Sequence, residues 1–407
     1  MSRDPHTEPP IRVARVITRL NIGGPSIQAS RLTTALEPHG FTTRLLHGRL
    51  GEAEGDMSYL LPPGADRVFI PTLCRLLSPL NDMRALVTLY RELRALQPHI
   101  VHTHLAKAGL LARLAASGYN LTRGGAPPAR IVHTYHGHVL DGYFSPLATT
   151  IVIALERLLA RLSDRIIAIS PAIQDELLQK YAIGRPSQYR VVPLGFDLTP
   201  FAAVDDAARV AARRALDVRA DALVVSTVGR LTAIKQHGLF LETIQRVRQR
   251  HPNVVALITG DGELRGQIVT QTAALGLGEA VRMLGWRRDL ATIYAASDVF
   301  LLTSRNEGTP VALIEAMASG VPGVSTDVGG VRDVIGGPET GRTAFFGDAD
   351  GLARAAVELL ADPALRRQMG ERARARVLAR YDLTRLIDDV AALYDELLAE
   401  SPAGGNR

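Results

Sequence analysis

Along the chain, short runs of β-branched and aliphatic residues alternate with longer stretches whose apolar positions recur at helical spacing. Runs at 12–18, 42–47, 67–70, 100–103, 130–134 and 165–169 predict one series of strands. A second series is predicted at 222–228, 254–259, 281–284, 299–303 and 321–325, with amphipathic stretches such as 82–96 and 239–250 in the intervals. Strands alternating with helices pack as parallel sheets covered on both faces, so two series predict two doubly wound α/β domains. Pro193, Gly195 and Pro200 precede a polar, Ala/Arg-rich helix, which puts the boundary between 195 and 221. The domains are expected at 1–200 and 201–380, with a helical tail at 381–407 that crosses back to the first. Open parallel sheets bind ligands at the carboxyl ends of their strands, so two of them face to face would make one cleft.

Length supports that division, since 407 residues exceed what one core usually fills. With 46% apolar, 22% charged and 5% aromatic residues, disorder and a disulfide mini-scaffold are excluded. The single cysteine, Cys74, removes intramolecular disulfides and multi-cysteine zinc sites. The first ten residues are polar, unlike a signal peptide, and the longest lipid-like run, 147–155, stops at Glu156. A cytoplasmic protein is expected. The net charge of +6 is uneven: residues 1–200 hold 22 Lys+Arg against 15 Asp+Glu, so that half carries all of the excess. Basic surface suits nucleic acid, anionic lipid or phosphorylated ligands. Without a long basic run or interleaved aromatics, nucleic acid is not expected.

The sharpest chemical feature is the segment 304–320. A strand runs into a loop holding Glu307 and Gly308, after which Thr309 as N-cap and Pro310 at the first helical position open a helix with Val311 and Glu315. Free amides at that helix start, at the positive end of its dipole, suit an anion such as phosphate. Two glutamates eight apart mean little by themselves; the strand, glycine, cap, proline and apolar helix around them point to a site. Upstream, the strand 222–228 ends in Gly229, followed by Arg230 and Lys235. Lys107, Lys180 and Lys235 are the only lysines, so an ammonium here marks a place where a forked guanidinium does not serve. The competing reading is a surface Arg and Lys near a helix start.

The first domain offers a counterpart, where Gly23 and Gly24 let the backbone approach a ligand and Pro25 sets the turn of a helix that closes at Gly40. The dinucleotide fingerprint is absent, because strand two ends in His47-Gly48 without an acid, and Gly260-Asp261-Gly262-Glu263 also fails its spacing. A nicotinamide oxidoreductase is therefore disfavoured; a two-lobed binding protein would more often carry a secretion signal. Histidines cluster at His102 and His104, with Lys107 just after, and at His133, His136 and His138. A metal is conceivable there, but polar strand tips lining a cleft are the simpler reading. Asp348 and Asp350 imitate a metal-binding Asp-x-Asp, yet sit where a helix cap is expected.

In order along nearly the whole chain, LNIGGPSIQAS, QPHIVHTHLAKAG, VHTYHGHVLDGYFSP, VGRLTAIK, ITGDGEL, MLGWRRDLATIYAASDVFLLTS, EGTPVALIEAMASGVP and TDVGGVRDVI resemble the retaining family 4 glycosyltransferases of GT-B fold. The most specific part is Glu-x7-Glu joined to Gly-Arg-x4-Lys. One departure is Gly323, where the family has a β-branched residue, and looser packing is expected there. The resemblance implies that Arg230 and Lys235 hold a donor diphosphate, helped by the amides of Gly23 and Gly24 and by the helix start at Thr309, Pro310 and Val311. It implies that Glu315 binds the ribose, Glu307 and Gly308 meet the transferred sugar, and the Trp286-Arg287 turn meets the base. His136 would lie on the acceptor side near the reacting carbon, with Lys107 in a less defined role. No cofactor or metal is implied; the donor is a nucleotide-sugar, UDP favoured over GDP. The acceptor would be a glycan, lipid-linked or small-molecule hydroxyl, as in bacterial surface-glycan synthesis. The nearest alternative is an epimerase or phosphorylase of the same fold. The apolar stretch 147–162, with Arg157 and Arg161, is either a peripheral contact with anionic membrane at the inner face of the plasma membrane or a buried helix with a solvated arginine edge.

Overall fold

A computed structural model describes residues 9–51, 54–137 and 146–400. The chain divides into two compact units, Met1–Phe196 with Leu383–Arg407, and Asp197–Asp382.

In the first unit, seven parallel strands lie in the order β3-β2-β1-β4-β5-β6-β7. They are β1 (Ile11–Ile17), β2 (Phe41–Gly48), β3 (Arg67–Ile70), β4 (Ile100–His104), β5 (Arg130–Tyr135), β6 (Arg165–Ala168) and β7 (Tyr189–Val191). Alternate residues of each strand enter opposite cores, as the two-residue repeat requires. Ile11 and Val13 of β1 meet Ile100, Val132 and Ile167 on one face, and Ala14 and Val16 meet Val101 and Ile131 on the other. The first face is closed by the helix Leu383–Ala399, whose Leu386, Val390, Leu393, Tyr394 and Leu397 fall on one stripe.

The second unit is a six-stranded parallel sheet in the order β10-β9-β8-β11-β12-β13. Its strands are β8 (Leu223–Val228), β9 (Val254–Thr259), β10 (Val281–Gly285), β11 (Val299–Leu302), β12 (Gly323–Thr326) and β13 (Gly341–Ala344). Val225, Ala256, Ile258, Val299 and Leu301 pack against the helices His237–Arg250 and Ala349–Ala361, while Val224 and Leu257 point to the opposite core. Each sheet reverses its strand order once, between β1 and β4 and between β8 and β11, and such reversals open a crevice at the carboxyl ends.

Three sequence expectations are corrected here. The strand expected at 321–325 starts at Gly323, because Pro322 has no N–H to give the ladder; its carbonyl accepts from Phe300 N instead. The edge strands β7 and β13 were not expected. Gly323 leaves no void, since an added Cβ would stand 2.4 Å from a δ-methyl of Leu313, which fills the space a branched residue would take.

Candidate active site

At the switch in the second unit, Lys235 Nζ lies 2.6 Å from Glu307 Oε1, which also accepts from Ser304 Oγ at 2.6 Å. Lys235 ends a single 3-10 turn after β8, and Glu307 sits in the loop after β11. The two loops are fastened by backbone: Arg305 N donates to Ile234 O, and Thr303 Oγ1 donates to the carbonyls of Lys235 and Gln236. The Lys235 stem runs alongside Gly229, within ordinary contact distance of where a Cβ would stand, 3.4 Å. Arg230 is exposed beside it.

Successive strand ends build the floor. Leu231 N donates to Asp261 O, and Gly260 N donates to Gly285 O. A Cβ on Gly260 would stand 1.9 Å from the Gly229 carbonyl oxygen, so only glycine lets these loops approach. The turn beyond β10 leaves the Trp286 indole 60% exposed, while Arg287 is held by Asp289.

The helix after Glu307 runs Val311–Ala318 with Pro310 as N-cap, so Thr309 is not the cap that the sequence suggests. Its side chain makes no capping bond, because Pro310 with ψ 85 already turns the chain into the helix. Leu313 and Ile314 are the first amides to bond, both to Pro310 O, which leaves Val311 and Ala312 as the helix's open donors. One turn on, Glu315 accepts from the buried Tyr294 hydroxyl at 2.9 Å. Burial pushes the Glu315 carboxyl up to about 7, with the Tyr294 hydrogen bond opposing the shift. Neither Ser304 nor Tyr294 was anticipated; a lone hydroxyl one strand or helix away carries no spacing signal.

In the first unit, Gly23 has φ 155 and ψ 165, a region reserved for glycine, and begins the helix Gly24–Ala35. This helix stops at Ala35, short of Gly40, which terminates a separate 3-10 turn with φ 82. Gly23 N points at Met57 Sδ, 3.3 Å away, so of the two amides expected to face a ligand only that of Gly24 lacks a partner among the described residues. Lys107 is an ion-pair partner of Asp82 at 2.6 Å and also donates to Leu76 O, which ties the start of one helix to another.

The histidines are not cleft-lining tips. His102, His104 and His133 are 0%, 0% and 1% exposed. Strand alternation sends His102 and His104 to the face closed by Tyr394 and sends His133 to the other, where it meets Thr103 Oγ1 at 2.7 Å. Burial holds all three well below the usual imidazole range. His136, just past β5, contacts His104 at 2.9 Å and is driven to about 3 by burial; His138 lies outside the described residues. Among the described residues no three His, Cys, Asp or Glu side chains stand where they could hold a metal ion. Asp348 caps the helix Ala349–Ala361 by accepting from Gly351 N at 2.7 Å.

Two doubly wound sheets, with a lysine, two glutamates and open helix amides gathered at the switch point of the second, place the chain among the doubly wound α/β proteins. The Glycosyl transferases group 1 model matches residues 209–376, and the Glycosyltransferase Family 4 model matches 22–199. The chain is 28% identical over 347 residues to the UDP-Gal:alpha-D-GlcNAc-diphosphoundecaprenol alpha-1,3-galactosyltransferase of Escherichia coli, covering 84% of this chain and 87% of that one. A glycosyltransferase from Rickettsia africae superposes with a TM-score of 0.79 at 18% identity, over 97% of this chain and 100% of that one. Anabaena HepE in complex with UDP gives 0.79 at 20% identity, over 95% and 100%. The protein belongs to the family 4 glycosyltransferases and has their GT-B fold.

Proposed function

We propose that the protein moves a sugar from a nucleotide-sugar, a UDP-sugar in preference to a GDP-sugar, to a hydroxyl of a lipid-linked or other glycan acceptor, with retention at the anomeric carbon. The observation that carries this reading is the Lys235–Glu307 pair at the switch point, with the Glu315–Tyr294 pair on the helix that follows Glu307. The Escherichia coli relative, named for a UDP-sugar donor and a diphosphoundecaprenol acceptor, supports the donor and acceptor classes.

Breaking a glycosyl phosphate bond develops negative charge on the diphosphate and positive charge at the anomeric carbon. Arg230, Lys235 and the amides of Val311 and Ala312 supply fixed positive charge for the first. Glu307 orients the sugar hydroxyls and offsets the second, while Glu315 holds the ribose and Trp286 the base. The acceptor hydroxyl attacks on the face that the leaving group vacates, and the departing phosphate oxygen takes its proton. Charge on the diphosphate is met by the protein's own cations in this reading, so turnover is expected to be the same with and without a chelator.

The test is a thermal-shift panel of UDP, GDP and their sugars, because a tight donor raises Tm by mass action. A shift with UDP-sugars and none with any GDP compound is expected. Absence of any shift sinks the reading, and conversion of donor alone, without acceptor, would make the enzyme an epimerase.

Peripheral docking on anionic membrane belongs to the same proposal. Among the described residues no helix is long and apolar enough to cross a membrane. The helix Pro146–Arg161 buries Leu159 and Ala160 and packs Val152 and Ile153 against the core, yet leaves Leu147, Ile151 and Leu158 73%, 60% and 54% exposed beside Arg157 and Arg161. Apolar residues flanked by arginine suit the interface of an anionic bilayer. Co-sedimentation with anionic but not neutral vesicles is expected, and failure with both at low salt removes docking.

A further inference from the structure

Arg15 lies in the middle of β1, fully buried, with no carboxylate among its described partners. An arginine side chain can only donate. Its Nη1 donates to His102 Nδ1 at 3.2 Å and to His104 Nε2 at 3.3 Å, and its Nη2 donates to Tyr394 Oη at 3.3 Å. The proton positions of the neighbouring rings are assigned from these partners.

His104 must accept at Nε2, and a neutral imidazole that accepts at one nitrogen carries its proton on the other. His104 Nδ1 therefore donates across 2.9 Å to His136 Nε2. That bond consumes the only lone pair of His136 and puts its proton on Nδ1. His136 Nδ1 is a buried atom with no hydrogen-bond partner among the described residues. A buried donor left unpaired is unfavourable, so this one calls for an acceptor, a water or a ligand oxygen. His102 likewise carries its proton on Nε2, which donates to Thr134 Oγ1 at 2.7 Å, because its single Nδ1 lone pair faces two donors, Tyr394 Oη at 2.6 Å and Arg15 Nη1 at 3.2 Å.

We propose that Arg15, acting through His104, fixes His136 in the Nδ1–H form, so that His136 serves the transfer reaction as a hydrogen-bond donor to a substrate oxygen and not as a base. This rests on the reading of His136 as a substrate-side residue of the transferase. Arg15 and His104 are positioning residues that never touch substrate. In that form His136 has no lone pair left with which to accept a proton.

The first test needs no substrate. In the full-length protein labelled with 15N-histidine, long-range proton–nitrogen NMR at about pH 7 should show His136 protonated at Nδ1 only, its signal identified by loss in His136→Asn. A proton on Nε2 overturns the relay. In His104→Leu the His136 proton should no longer be confined to Nδ1; Arg15→Met gives the same readout should His104→Leu fail to fold, and an unchanged Nδ1–H form in the folded variant also overturns it. In turnover, His136→Asn places an amide donor near the old Nδ1 and should stay within about tenfold of the parent enzyme, whereas His136→Leu should lose on the order of 10²-fold in kcat. His104→Leu should lower kcat with donor KM unchanged. Equal kcat for the parent and His136→Leu would remove His136 from the reaction, and the proposal with it, whatever the NMR shows.

Discussion

Lys235 and Glu307 are 72 residues apart in sequence and 2.6 Å apart in space, joined across the point where the sheet of the second unit reverses its strand order. Both are partly solvated, and such a pair contributes on the order of 0–1 kcal/mol to stability. Its value is for charge that develops on a bound diphosphate. Lys235→Ala is therefore expected to reduce kcat on the order of 10²- to 10³-fold with Tm nearly unchanged. Steady-state kinetics beside a thermal melt checks this; unchanged turnover takes Lys235 out of the mechanism.

Glu315 gives the site a pH signature. Its folded carboxyl titrates at about 7 against 4.5 for the free group, so between those values the folded protein holds a proton that the unfolded chain has lost. Stability from this group is present below the lower value and falls as pH rises through the window. Glu315→Gln should flatten that fall and gain relative to the parent protein above pH about 7. Ribose hydroxyls donate to a carboxylate and favour its charged form. UDP binding near neutrality should then release a proton, seen by calorimetry in buffers of different ionisation enthalpy, and Glu315→Gln should release none. No proton release by the parent protein would separate Glu315 from the ribose.

Much of this site is legible in the sequence, because its residues sit in glycine-containing loops where β-branched runs end. Gly229, Gly260 and the Glu307-Gly308 loop could be placed from that pattern alone, and with them Lys235. The edge strands β7 and β13 were not legible, since Tyr-Arg-Val and Gly-Arg-Thr-Ala are too short and too polar to show a repeat. Long-range partners were hidden for another reason. Nothing local links Arg15 to Tyr394, 379 residues away, or Glu315 to Tyr294 on a different helix. The His-x-His spacing correctly predicts a shared face, but whether that face is solvent or core depends on the helix Leu383–Ala399, the last one described.

Gly329 and Gly330 act on the site through backbone. A Cβ on Gly329 would stand 2.0 Å from Glu307 O and one on Gly330 1.9 Å from Gly308 O, while Gly330 N donates to Glu307 O at 2.9 Å. Gly330→Ala must push the Glu307 loop away. Misplacement by about 1 Å can reduce catalysis on the order of 10²-fold, and that loss in kcat/KM is expected here. The clash falls on loop carbonyls beyond the strand ends and not on the buried core, so the melt should change little. Full activity in Gly330→Ala would mean that the loop is not held in this position during turnover.

Asp298 separates structure from chemistry. It ends the link into β11, is 3% exposed, and accepts from Arg213 at 2.7 Å and Val224 N at 2.8 Å, with Arg209 bonded to its other oxygen and Arg366 at 3.3 Å. Three guanidinium groups from two helices thus converge on one buried carboxylate. Removing it leaves those cations uncompensated, which typically costs about 3–5 kcal/mol. Asp298→Ala should lower the urea midpoint without changing the slope of the transition. Asp298 touches none of the residues assigned to the donor, so the fraction that remains folded should bind UDP with unaltered affinity. A raised UDP Kd at an unchanged urea midpoint would instead place Asp298 in the donor site.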